Sequence, residues 1–164
     1  MLRVLFVCTG NVFRSMSAEY AVRRELLKKP RWNAGFVVSS AGTDELPHLV
    51  WREVRDYLLL QGLDVSPHRR RTLTRAIFEG SDLVVAMSTD HREFIRRRFG
   101  QEVPLFTEAC SEPAAPLPDV EEVVADYRSN AAAVTAHLRM TIDRIIALAP
   151  RLAERLAGHL ADGQ

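Results

Sequence analysis

The apolar run Leu2–Val7 stops at Cys8-Thr9-Gly10-Asn11-Val12-Phe13-Arg14-Ser15, and helix-like sequence resumes at once with Met16-Ser17-Ala18-Glu19-Tyr20-Ala21-Val22-Arg23. A strand must therefore pass into a helix through a few small or turn-forming residues, with a thiol at the strand's end and a guanidinium at the helix's start. In so tight a loop the peptide N–H groups converge as an anion nest. The helix N-terminus adds partial positive charge, and Arg14 offers a planar fork for two oxygens. Cys8 lies at the centre of that field, which favours the thiolate, the nucleophilic form. Thr9, Gly10, Asn11, Val12, Phe13, Arg14 and Ser15 thus read as a phosphate-binding loop built for covalent attack on a tetrahedral oxyanion. A cation in the first turn opposes the helix dipole, a cost that makes sense when an anion is normally bound there. Gly10 and Asn11 are expected to supply positive φ.

The rest of the chain repeats the strand–helix rhythm. Apolar, β-branched runs recur at Leu2–Val7, Phe36–Ser40, Asp82–Met87 and Val103–Phe106, with helical periodicity at Ser17–Leu27, Leu49–Gln61 and His91–Phe99. A long helix is expected from about Val120 or Asn130 to Leu160, ended or kinked at Pro150. This pattern predicts an α/β fold of three layers, a four-stranded parallel sheet flanked by helices. The loop after the first strand of such a sheet falls in the ligand crevice, where strand order reverses. At 164 residues the chain suits one domain, 1–164, with a helical tail from about 150 whose Leu152, Leu156 and Leu160 recur at helical spacing. Glu112–Pro118, with three prolines, reads as a stiff extended connection.

The motif resembles that of the low-molecular-weight protein tyrosine phosphatases: a strand, then Cys8, Gly10, Asn11, Arg14 and Ser15, then Ala18-Glu19. The resemblance continues in Ser40-Ala41-Gly42-Thr43, in His68 followed by Arg71, and in Ser81–Met87. It implies a flavodoxin-like phosphatase fold and a protein-tyrosine-phosphatase activity without metal or other cofactor. It further implies that Asn11, Ser15, Ser40 and His68 hold the loop's shape, with Ser40 and His68 in supporting roles. It also places a general acid on a loop before the last helix, where Asp119 fits and Asp126 competes; an ordinary helix N-cap is the alternative role for Asp119. Several departures stand out. Phe13 replaces the second cysteine of many members, which excludes protection of Cys8 by a neighbouring disulfide. Val120 replaces the proline expected after the acid. Val12 occupies a position where an aliphatic residue accompanies phosphotyrosine and a threonine phosphoarginine. Glu121 and Glu122 stand where aromatics often line the pocket, leaving Leu46, His48 or Trp51 for the opposite wall.

Charge is balanced, with 22 basic and 21 acidic residues, which argues against nucleic acid or an anionic membrane as partner. The runs Arg69–Arg71 and Arg96–Arg98 lack interleaved aromatics and read as solvated faces. No apolar segment has the length of a signal peptide or a membrane span, so a cytoplasmic protein with reduced thiols, monomeric or weakly dimeric, is expected. The expected partner is a phosphorylated protein or a small phosphomonoester. Arsenate reduction with an external thiol, phosphoarginine hydrolysis and non-catalytic phosphate binding stay open as alternatives.

Overall fold

The computed structural model describes residues 1–29 and 35–162, with side chains described to residue 159. Strand β1 (Leu2–Cys8) is central. It pairs in parallel with β2 (Phe36–Gly42) on one side and with β3 (Leu83–Ala86) on the other, giving the order β2-β1-β3. Successive β1 side chains point to opposite faces, as the period of two requires. Val4, Phe6 and Cys8 join an apolar layer built with α1 (Arg14–Leu27), α2 (Arg52–Leu60) and α7 (Ala131–Asp162). Leu5 and Val7 join a second layer with Leu73, Phe78, Ile95 and Leu105, contributed in part by α3 (Arg75–Glu79) and α4 (Thr89–Phe99). Both faces of β1 are thus dry, which explains its nearly unbroken apolar run. Strand order reverses about β1, so its carboxyl end, Cys8, opens into the crevice.

Two expectations are corrected. Val103–Phe106 is not a fourth strand: Leu105 forms a single parallel bridge with Ala86, and Phe106 already opens the short helix α5 (Phe106–Ala109). Pro104 accepts a hydrogen bond from Ala86 N at 2.9 Å but has no N–H to give, so a ladder cannot propagate through it. Pro150 does not end the last helix, which runs on to Asp162. Leu148, Ala149, Leu152, Ala153 and Leu156 are all buried around it, and at roughly 1.5–3 kcal/mol for each large apolar side chain buried that packing outweighs the ~3 kcal/mol cost of an internal proline. The buried Leu152 and Leu156 make the tail part of the core. Leu160 lies outside the described side chains.

Candidate active site

Between β1 and α1 the backbone curls around a point beside Cys8, and the hydrogen bonds of its outward carbonyls explain how. Cys8 O accepts from Thr43 N at 2.9 Å, Thr9 O from Asp44 N at 3.1 Å, and Phe13 O from Ser17 N at 2.8 Å. Gly10 O accepts from Arg70 Nε at 3.0 Å, and Asn11 O pairs with His68 Nε2 at 2.8 Å. These bonds tie five of the loop's carbonyls to the end of β2, to residues 68–70 and to α1. Asn11 takes the left-handed conformation, φ 57°, which asparagine tolerates better than most residues. Gly10, in contrast to expectation, does not have a positive φ. It is glycine for space: a Cβ there would meet the His48 ring at 3.0 Å. Gly42 is tighter still, since a Cβ would collide with Thr9 O and lie 3.1 Å from Asn11 N.

The Asn11 side chain organises the interior. Its Oδ1 accepts from Arg71 N at 3.0 Å, so Nδ2 must donate, and it does so to Ser40 Oγ at 2.7 Å and Ser15 Oγ at 3.1 Å. Ser40 in turn donates to Glu19 Oε2 at 2.5 Å, and Glu19 pairs with Arg23. Because Ser15 already accepts from Asn11, its own proton is free for Cys8 Sγ, 2.9 Å away. Asn11, Ser15 and Ser40 are each no more than 2% exposed, so the donors are fixed in place before any ligand arrives. The other cysteine, Cys110, is free and buried, and burial pushes its thiol up to about 12.

Arg14, 1% exposed, begins α1 and reaches across the crevice. Its Nη1 donates to Leu117 O at 3.0 Å and its Nη2 to Asp119 Oδ2 at 2.6 Å. The carboxylate of Asp119 also caps α6 (Val120–Val123), Oδ1 accepting from Val120 N at 2.8 Å, while Glu122 Oε1 accepts from Asp119 N at 2.9 Å. The cap and the site residue are therefore the same group. Asp126 is not brought in: it is exposed and pairs with the Asn130 side chain.

These elements enclose a cleft of about 500 Å³. Cys8, Thr9, Gly10, Val12, Phe13 and Arg14 form its floor, Asp119, Val120 and Glu121 one wall, and Pro47, His48, Leu49 and Trp51 the other. His48 and Trp51 stand where expected, whereas Leu46 does not line the cleft, and Glu122 is occupied by the cap. Asp44 lies at the mouth. The Leu46 N–H, with His48 at 2.8 Å, holds its carboxyl below the usual carboxylate range. Among the described residues, no group of three or more His, Cys, Asp and Glu side chains could hold a metal ion, and no helix is long and apolar enough to cross a membrane.

Two further residues, Arg70 and His91, support the site from positions whose sequence context points elsewhere, and Arg71, which the resemblance includes, joins them. Arg70 and the exposed Arg71 do more than form a solvated face. Arg70 ties Gly10 O to Asp44 O, the latter at 2.6 Å, and Arg71 Nε donates to Ser40 O at 2.9 Å. Arg69, exposed, reaches instead the nearby carbonyls of Ser66 and His68. Arg96 and Arg97 pair with Glu93 on the surface, as expected of that run. His91, buried at the start of α4, lies 2.8 Å from Thr9 Oγ1 through Nε2. Burial, reinforced by the Arg14 guanidinium, pushes its pKa down to about 4. Nothing in the sequence around His91 or Arg70 separates them from ordinary surface residues.

Residues 3–160 match the family model of low molecular weight phosphotyrosine protein phosphatase. The chain is 33% identical over 102 residues to the protein-arginine-phosphatase of Bacillus subtilis, a match covering 60% of this chain and 63% of that protein. It is also 33% identical over 89 residues to the low molecular weight protein-tyrosine-phosphatase Etp of Escherichia coli, covering 54% and 55%. The matched stretch thus spans less than two thirds of these curated relatives. Among solved structures, the YwlE arginine phosphatase from Geobacillus stearothermophilus superposes with a TM-score of 0.79 at 23% identity, covering 100% of this chain and 98% of that one. A protein tyrosine phosphatase from Entamoeba histolytica gives 0.75 at 20%, covering 99% of each. Both structural likenesses establish the fold.

Proposed function

Since the chain belongs to the low molecular weight phosphotyrosine protein phosphatase family, we propose that it hydrolyses phosphomonoesters through a cysteinyl-phosphate intermediate, with Cys8, Arg14 and Asp119 as its catalytic residues. In the first step the Cys8 thiolate attacks phosphorus, the P–O bond to the leaving group breaks, and Asp119 in its acid form gives its proton to the departing oxygen. Water then attacks the thiophosphate, Asp119 takes a proton from it, and inorganic phosphate leaves as the thiolate is restored. The bound phosphoryl oxygens compete with Asp119 for the Arg14 fork, so substrate arrival frees the carboxyl for proton transfer. The observation that carries this reading is the convergence on one cleft of a hydroxyl-supported sulfur, a buried guanidinium and a partly exposed carboxyl.

Turnover of a small aryl phosphate by the wild type, together with vanadate binding, tests it. Cys8→Ser is expected to abolish turnover while keeping oxyanion binding; a Cys8→Ser protein that still turns over aryl phosphate overturns the mechanism.

A second reading, hydrolysis of phosphoarginine, is favoured by the mouth. The Asp44 and Glu121 carboxylates repel a dianion and attract a cationic neighbour, and one relative is named a protein-arginine-phosphatase. The apolar Val12 on the floor favours an aromatic phosphate instead. Comparing phosphotyrosine, phosphoserine and phosphoarginine peptides at equal concentration separates the two.

A further inference from the structure

Thr9, next to the nucleophile, is gripped twice. Its carbonyl takes the Asp44 N–H from the β2 side, and its hydroxyl meets His91 Nε2 from the β3 side at 2.8 Å. Among the described residues this second contact is the only hydrogen bond joining α4 to the nucleophile loop. His91 is 1% exposed, and its Nδ1 is the only buried side-chain nitrogen or oxygen among the described residues without a hydrogen-bond partner. A buried polar atom left unpaired is costly, and such exceptions call for an explanation. Simple packing is a poor one, since an aliphatic residue would fill an α4 position, as the buried Ile95 does, with no orphaned atom. The ring also stays neutral next to Arg14, leaving that guanidinium as the cation of the floor.

We propose that His91 is a positioning residue: through the Thr9 hydroxyl it fixes the start of the nucleophile loop, holding the groups around Cys8 in their anion-binding arrangement before an anion arrives. Its role in turnover rests on the phosphatase reading; its effect on Cys8 does not, because thiol reactivity reports the loop's field directly.

The experiment compares His91→Leu, His91→Gln, Thr9→Val and the double variant His91→Leu/Thr9→Val by aryl phosphate kinetics, iodoacetate alkylation of Cys8 at mildly acidic pH, and thermal midpoint. His91→Leu and Thr9→Val each lower kcat about tenfold with KM nearly unchanged, and slow alkylation severalfold. The thermal midpoint of His91→Leu does not fall, because the orphaned atom has gone. Glutamine, whose amide reaches where Nε2 stood, restores most of both rates, and the double variant is no worse than the worse single one. Wild-type turnover and alkylation in Thr9→Val overturn the proposal, even if His91→Leu fails to fold. So do losses that multiply in the double variant, or a glutamine variant as slow as leucine. A wild type that is alkylated rapidly but never turns over phosphate counts against the phosphatase reading, while the alkylation arm still decides His91.

Discussion

The two segments that meet at the cleft are built to different standards. Residues 8–15 are locked: Asn11, Arg14 and Ser15 are at most 1% exposed, and the loop's carbonyls are held from β2, from residues 68–70 and from α1 itself. The opposite segment, 112–130, is tied down mainly in its first half: Glu112 N bonds Thr107 O and its side chain pairs with Arg144 and Arg151, Ala115 bonds Thr107 Oγ1 twice, Leu117 N bonds Met87 O at 2.9 Å, and His137 holds Pro118 O at 3.0 Å. Leu117, Val120 and Val124 are nonetheless its only buried side chains. The Asp119 side chain remains 39% exposed. The difference fits the two tasks that the proposed mechanism assigns to them. Stabilising developing charge demands donors that need no reorganisation, whereas a proton donor must release one partner and meet another during the cycle.

The sharpest way to break this contrast is Arg14→Lys. An ammonium is a point charge and cannot reproduce a fork that reaches both Leu117 O and Asp119. Turnover of aryl phosphate is expected to fall by about 10³-fold, the upper range for loss of a preorganised charge-stabilising donor, with weaker vanadate binding. Activity within tenfold of wild type shows that rigidity of the floor is not what catalysis requires.

Asp119→Asn probes the looser wall. The amide keeps a cap-like oxygen but cannot supply an acid proton, and a loss of about 10²-fold is expected. The loss should shrink as the leaving group becomes more acidic, because a stable phenolate departs without protonation. An equal loss for good and poor leaving groups assigns Asp119 to the cap of α6 alone.

The same contrast governs what the sequence reveals. The floor is continuous in the chain, Cys8 to Ser15, and its residue types in a fixed spacing make the thiol, the turn and the Arg14 fork legible in the order of residues alone, whereas the supporting roles of Asn11 and Ser15 come only by resemblance. Ser40 and His68 are legible only by resemblance, because what unites them with Asn11 is a contact across 29 and 57 positions. Gly10 stands out for the wrong reason, since the His48 ring above it is brought there by tertiary folding. Arg70 and His91 leave no local trace. A charge in a basic run and a histidine near a helix start look alike whether they point to water or to a loop carbonyl or hydroxyl. The absent fourth strand and the uninterrupted last helix escape the same kind of reading, because local signals, an apolar run and a proline, are overruled by a missing N–H and by packing, respectively.

Burial of a neutral histidine under the floor has a thermodynamic signature comparable to these kinetic losses. His91 is pushed down to about 4 in the folded protein from the ordinary 6.5, so between those values the unfolded chain binds the extra proton. The contribution is therefore fully present above about pH 6.5 and is lost as pH falls toward 4, amounting to about 3 kcal/mol. Denaturant midpoints of wild type and His91→Gln, measured across that range, check it: the substituted protein should lose less stability on acidification. Parallel losses in the two proteins place the acid sensitivity elsewhere.

The smallest effect expected is the one that most sharply delimits the looser segment. Asp126 lies seven positions beyond Asp119 and is its rival for the acid role in the sequence, yet its carboxylate faces the Asn130 amide at 3.2–3.3 Å and it does not line the cleft. Removing its charge takes away an exposed local contact worth well under about 1 kcal/mol, so Asp126→Asn should keep kcat and KM within about twofold for every leaving group. A loss that grows with leaving-group basicity, in the manner expected for Asp119→Asn, requires the 112–130 segment to swing a second carboxylate over the floor during turnover. The exposure of most of residues 121–130 would then serve exchange of acids rather than release of one.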